Sequence, residues 1–143
     1  GRLYCWGWNL NGFLGDGTGT NRSSPRLVLG GFTDWTAVDA GGTTLADADP
    51  YVDGHTCGLR DTKLYCWGLD SFGQLGDGPG DGSTSTPAPA AGPASGWTAI
   101  SVGGEPSCGL RGTKLYCWGR DHHGQVGNGL PRANVGGPVE LPA

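Results

Sequence analysis

Leu64-Tyr65-Cys66-Trp67-Gly68 occurs three times in slightly different company: earlier as Leu3-Tyr4-Cys5-Trp6-Gly7 and later as Leu115-Tyr116-Cys117-Trp118-Gly119, at spacings of 61 and 51 residues. Self-similarity of this kind decides an architecture before any local structure is read. Downstream of each copy, Gly73-Gln74-Leu75-Gly76-Asp77-Gly78 matches Gly12-Phe13-Leu14-Gly15-Asp16-Gly17 and Gly124-Gln125-Val126-Gly127-Asn128-Gly129. Trp35-Thr36-Ala37-Val38 matches Trp97-Thr98-Ala99-Ile100, and Cys57-Gly58-Leu59-Arg60 matches Cys108-Gly109-Leu110-Arg111. Each unit thus holds about four short β-type runs parted by Gly-rich turns, the content of one propeller blade. The sequence predicts an all-β fold: a partial β-propeller of about two and a half four-stranded blades in one domain, 1–143, with units 3–63, 64–114 and a truncated 115–143.

Composition agrees. The 143 residues include 30 glycines, where average usage of ~7% would give about 10, and 10 prolines, so long helices are excluded and frequent turns expected. No run approaches the ~20 apolar residues that span a bilayer, so membrane insertion is not expected. The N-terminus shows no leader pattern. Net charge is −4, and no basic cluster exceeds a nearby pair such as Arg60 and Lys63, which disfavours nucleic acid as a partner.

The two full units differ mainly between the Trp-Thr-Ala run and the Cys-Gly-Leu-Arg run. Trp35 to Cys57 is 22 positions and Trp97 to Cys108 is 11, placing an insertion at roughly Thr43 to Gly54, where repeats put loops. A second variable stretch, Ser83 to Ser95, is rich in proline and reads as an exposed connector rather than a ladder strand. Its Ser/Thr/Pro bias fits either an O-glycosylated segment or a bare linker.

Five cysteines stand at 5, 57, 66, 108 and 117. If Asp61-Thr62 and Gly112-Thr113 are two-residue hairpin turns, Arg60 faces Lys63, Leu59 faces Leu64, Gly58 faces Tyr65, and Cys57 faces Cys66. Cys108 and Cys117 count identically. Both cysteine pairs then fall at close, non-hydrogen-bonded positions, within disulfide range. The expectation is Cys57–Cys66 and Cys108–Cys117 disulfides, hence an oxidising compartment and an extracellular or cell-surface location. Zinc fits less well, since its ligand pairs sit a few residues apart in a knuckle; reduced core thiols are the other alternative. Cys5 needs a partner nine positions earlier, before residue 1. Together with the stop at Pro142, ahead of a further Trp-Thr-Ala strand, this reads as a fragment of a longer chain, with Cys5 paired outside it.

These residues, Trp67-Gly68, Gly73 to Gly78, the Pro-rich connector, Trp97 and Cys108-Gly109-Leu110, resemble the regulator of chromosome condensation repeat across essentially the whole chain. The resemblance implies a seven-bladed ring of which these residues form a part. Family members include exchange factors, a photoreceptor, ubiquitin-ligase domains and secreted enzyme inhibitors, so the fold does not name the function. The Cys-x8-Cys version is similar to extracellular relatives, plant receptor ectodomains and secreted microbial repeat proteins. An exchange factor on chromatin would want a basic arm. A photoreceptor would want tryptophans clustered beside arginines, and here only Trp6 and Trp8 flank Gly7.

Other chemistry is sparse. Asp47, Asp49 and Asp53 crowd the insertion together with Tyr51, a weak calcium candidate that misses the Asp-x-Asp-x-Asp-Gly spacing. His122 and His123 are adjacent and point apart in an extended chain. His55 has no recognisable nucleophile set around it, so neither an enzyme nor a cofactor is expected. Asn21-Arg22-Ser23 is a glycosylation sequon. The repeated tryptophans read as inter-blade packing; Trp8 is matched by Leu69 and Arg120 and reads as an exposed contact residue. The reading is an extracellular, non-enzymatic module binding a protein or glycan through Trp8 and the two unit-specific loops, Thr43–Gly54 and Asp81–Ser95. The alternative is a structural component that self-assembles in a cell-surface or fibrous glycoprotein.

Overall fold

In the computed structural model, residues 1–43, 53–80 and 82–142 are described, with the side chains of Thr43 and Asp53 outside that description. Ten strands are present among them: β1 (Tyr4–Gly7), β2 (Arg22–Leu27), β3 (Trp35–Thr43), β4 (Asp53–Arg60), β5 (Lys63–Leu69), β6 (Ser83–Pro89), β7 (Trp97–Val102), β8 (Pro106–Arg111), β9 (Lys114–Gly119) and β10 (Val135–Glu140). They form a two-stranded sheet β1-β2 and two four-stranded antiparallel sheets, β3-β4-β5-β6 and β7-β8-β9-β10. This is a partial β-propeller of two and a half blades. Each full sheet takes its first two strands from one sequence unit and its last two from the next, so the unit 64–114 runs through β5 to β8 and stitches neighbouring blades together.

The hairpins follow the counted register: Cys57 faces Cys66, Gly58 Tyr65, Leu59 Leu64 and Arg60 Lys63, and β8-β9 repeats it. Asp61 and Gly112 carry the positive φ, 55° and 62°, that a primed two-residue turn puts at its first position. The disulfides Cys57–Cys66 and Cys108–Cys117 cross these hairpins, each with Cα atoms 4.1 Å apart.

The stretch from Ser83 is the correction. It was expected to be a connector, yet Ser83–Pro89 is the outer strand β6. Proline is tolerated there because the strand lies at a sheet edge, and because the ladder breaks where Pro87 falls. Cys66 pairs with Ala88 and Gly68 with Thr84, so three residues, 85 to 87, oppose Trp67 alone. The same bulge recurs in β2, with Pro25, and in β10, with Pro138. Only 90–96 connects blades.

Blades are joined by a repeated device. The Trp67 indole N–H donates to the Phe13 carbonyl (2.9 Å), and Thr56 Oγ1 donates to the same oxygen (2.9 Å). One blade on, Trp118 and Ser107 converge on the Gln74 carbonyl at 2.9 and 3.1 Å. The loop can wrap the ring only because its fourth residue is glycine. A Cβ on Gly15 would lie 2.7 Å from Trp67 Nε1, and one on Gly76 2.6 Å from Trp118 Nε1, and both glycines have positive φ. Trp35 and Trp97 stack edge-on against Trp67 and Trp118 at 5.7 and 6.1 Å. Trp67, Trp97 and Trp118 are buried, as expected of packing residues, whereas Trp6 is 61% exposed because no described loop of this chain reaches it.

Candidate functional site

In each blade the loop leaving the third strand is built on one buried polar residue. Asn9, Asp70 and Asp121 each place Oδ1 to accept the N–H five residues on, of Leu14, Leu75 and Val126, at 2.8–2.9 Å. Asn9 does more: its Nδ2 donates to Asp16 Oδ1, Thr18 O and Thr20 O, closing the loop on itself. Burial works against ionisation of Asp16, but hydrogen bonds from Thr18 and Arg22 and the Arg22 charge outweigh it and hold the carboxyl below its usual range.

With these anchors fixed, the positions beside them differ from blade to blade and point outward. Trp8, 47% exposed, and Leu10 flank Asn9. Ser71 and Phe72 follow Asp70; Arg120 and His122 flank Asp121. Across the blade boundary the Arg120 guanidinium lies over the Phe72 ring at 4.8 Å, and His122 meets Phe72 edge-on at 6.3 Å. Glu105, on the β7–β8 turn, holds Arg120 in an ion pair. The outcome is one rim of the propeller carrying aromatic rings and a fixed guanidinium, the residue types that dominate protein recognition. Since His55 pairs with Gly68, the ends of β3 and β4 that lead into the insertion emerge on this same rim, beside Leu69.

Trp8 stands exposed beside Asn9 on this rim. Asp47, Asp49 and Tyr51 lie outside the described residues, and Asp53 is described only through its backbone in β4. Among the described residues no group of His, Cys, Asp and Glu is arranged to hold a metal. Asn21 is exposed just ahead of β2, with Oδ1 accepting the Asn9 N–H at 2.8 Å. Cys5 has no disulfide partner among the described residues, and burial pushes its thiol up to about 11. The Phe72–Arg120–His122 cluster was not found from sequence. The only signal for it was that the positions beside Asn9, Asp70 and Asp121 vary while their neighbours repeat.

Inward of the rim, His55 is buried, and desolvation lowers its pKa to about 4, partly offset by Asp39. Its Nε2 is bonded to Ser107 Oγ. The Ser107 hydroxyl already donates to the Gln74 carbonyl, so it accepts from His55 Nε2–H. That chain ends on a backbone carbonyl and presents no activated nucleophile.

Comparison with known proteins places the chain in a family. The regulator of chromosome condensation (RCC1) repeat model matches residues 1–46 and 61–110. The ultraviolet-B receptor UVR8 of Arabidopsis thaliana is 32% identical over 137 residues, covering 90% of this chain and 28% of that protein. Human WBSCR16 superposes with a TM-score of 0.78 at 22% identity, and Prp20p of Saccharomyces cerevisiae with 0.80 at 18%, each over 99% of this chain. The chain spans 28% of the curated relative and 33–34% of these two structural neighbours. With the repeat model matching most of its length, and its own loops at Gly12–Gly15 and Gly73–Gly76 closing on Trp67 and Trp118 of the following blade, the chain belongs to the regulator of chromosome condensation (RCC1) repeat family.

Proposed function

We propose that this chain is a non-catalytic recognition module of the extracellular space or cell surface, and that it binds a protein partner through the rim formed by the third-to-fourth strand loops. The observation that carries the reading is the contrast within those loops. Their anchors repeat from blade to blade, while Trp8, Leu10, Phe72, Arg120 and His122 differ and are gathered on one rim. Rigid aromatic and arginine anchors on a preorganised scaffold lose little entropy on binding. Two buried inter-strand disulfides support the oxidising location. Protein partners are supported by the neighbours: Prp20p was studied for binding to Gsp1p and histones, and the same yeast protein was solved bound to Kap60. Asn21, exposed and bonded to the Asn9 N–H between Trp8 and Leu10, is the proposed glycan attachment point, at the border of the rim.

The test compares three baits in the protein's native extracellular milieu by quantitative mass spectrometry: the unaltered chain, a Trp8→Ala/Phe72→Ala/Arg120→Ala variant, and a Lys63→Ala variant on the opposite rim. Partners held by the first and third baits and lost by the second support the reading. Equal capture by all three refutes it. Replacing the insertion Thr43–Gly54 with the short Gly103–Glu105 turn asks the same question of the segment between β3 and β4.

A further inference from the structure

Asn9 and Asp121 hold matching places in loops of the same backbone shape. Gly12, Gly15 and Gly17 have φ of 79°, 66° and 82°, and Gly124, Gly127 and Gly129 have 80°, 75° and 71°. The turns repeat as well: Gly12 and Gly15 donate to the Asn9 and Gly12 carbonyls at 3.0 Å, and Gly124 and Gly127 to those of Asp121 and Gly124 at 3.2 and 3.1 Å. On the far side of each loop Asp16 Oδ1 accepts the Thr18 N–H and Asn128 Oδ1 the Leu130 N–H, both at 3.0 Å. Oδ1 of Asn9 and of Asp121 both accept the N–H five residues on, so the other terminal atom, Nδ2 in one and Oδ2 in the other, falls at the same point of the loop.

That point is surrounded by oxygen. Asn9 Nδ2 donates there to Asp16 Oδ1 (3.2 Å), Thr18 O (2.9 Å) and Thr20 O (3.1 Å), all within its own loop. In the third blade the counterparts of the first two are the Asn128 side chain and the Leu130 carbonyl, and the atom between them is Asp121 Oδ2, which as a carboxylate oxygen can only accept. It is buried without a hydrogen-bond partner among the described residues, in a residue 1% exposed. Its charge is unmatched too. In the first loop Arg22, which faces Gly7, pairs with Asp16; the residue that faces Gly119 is Val135. None of the ion pairs among the described residues includes Asp121. A buried carboxylate facing other oxygens is costly unless a positive centre sits with it.

We propose that the third-blade loop binds a calcium ion through Asp121 Oδ2, the Asn128 side-chain oxygen and the Leu130 carbonyl, with water completing the shell. All of these donors are oxygen, which selects a hard cation, and only one carries charge, which makes the site weak, with a Kd of about 1 mM. A single donor comes from a His, Cys, Asp or Glu side chain, so no cluster of those residues marks the place. The site is separate from the carboxylates of the insertion. Asp121 stands between Arg120 and His122, so the ion fixes the loop that carries two residues of the rim, but its binding needs no partner there and does not depend on what the rim recognises.

The test is calorimetric unfolding of the 143-residue chain in CaCl2 at about ten times that Kd, against EDTA with NaCl at matched ionic strength. The expected result is a rise in Tm of about 4 °C with calcium. Asp121→Asn, which restores the amide that the first loop has in Asn9, should fold, stand at or above the unaltered chain in EDTA, and lose the calcium response. Asn128→Asp puts a second carboxylate where the first loop has Asp16, and should tighten calcium binding about tenfold by isothermal titration, since charge among the ligands sets affinity. No rise in the unaltered chain, an equal rise in Asp121→Asn, or an unchanged affinity in Asn128→Asp would overturn the proposal.

Discussion

Three tryptophans share one motif and sit in different surroundings, so truncating each in turn separates the joint from the residue. Trp67 and Trp118 are fully buried, hydrogen-bonded to loop carbonyls and wrapped by Gly15 and Gly76, whereas Trp6 is 61% exposed. A buried indole removes ~150–250 Å² from water, which at ~25 cal/mol per Å² is ~4–6 kcal/mol, close to the ~3–5 kcal/mol measured for such truncations in cores. Trp67→Ala and Trp118→Ala should therefore each cost about 3–5 kcal/mol in urea unfolding, and Trp6→Ala no more than about 0.5 kcal/mol. Trp67→Phe keeps most of the area and removes the N–H; the Phe13 carbonyl retains Thr56, so the loss should be about 1–2 kcal/mol. If Trp6→Ala destabilises as much as Trp67→Ala, the loop-and-indole joint is not what holds neighbouring blades together, and the reasoning fails.

Two further predictions rest on single buried polar groups. Asp121 Oδ2 is buried without a partner among the described residues, while Asn9 at the matching place uses an amide N–H₂; Asp121→Asn should stabilise by about 1 kcal/mol and raise Tm by a few degrees in calorimetry. His55 is buried neutral, with its pKa depressed from 6.5 to about 4, so the unfolded chain takes up a proton first as pH falls. Stability should be lost between about pH 6.5 and 4, by at most about 3 kcal/mol, and a His55→Gln variant should show a flatter pH profile in the same unfolding assay.

Much of this fold was legible because the repeat supplies its own alignment. Once Cys57 and Cys66 were counted across Asp61-Thr62, the hairpin register and both disulfides followed from the period of an antiparallel ladder. Phase was harder to read. A period gives the length of a unit and not where a sheet begins, and here each sheet straddles two units, β3 and β4 from one and β5 and β6 from the next. The strand at Ser83–Pro89 was hidden by its prolines, whose usual meaning is cancelled by an edge position and by a bulge opposite Trp67. The rim cluster was hidden for another reason. Phe72, Arg120 and His122 meet only across a blade boundary, between residues about 50 apart, and nothing local in the sequence marks that contact.

In-situ alkylation of free thiols in the native source, followed by non-reducing peptide mapping, tests most directly whether this is a disulfide-pinned extracellular module. The predicted result is unalkylated Cys57–Cys66 and Cys108–Cys117 linkages in protein recovered from outside the cell. Recovery of Cys57, Cys66, Cys108 and Cys117 as alkylated thiols would contradict it, placing the chain in a reducing compartment and removing the ground for an extracellular partner.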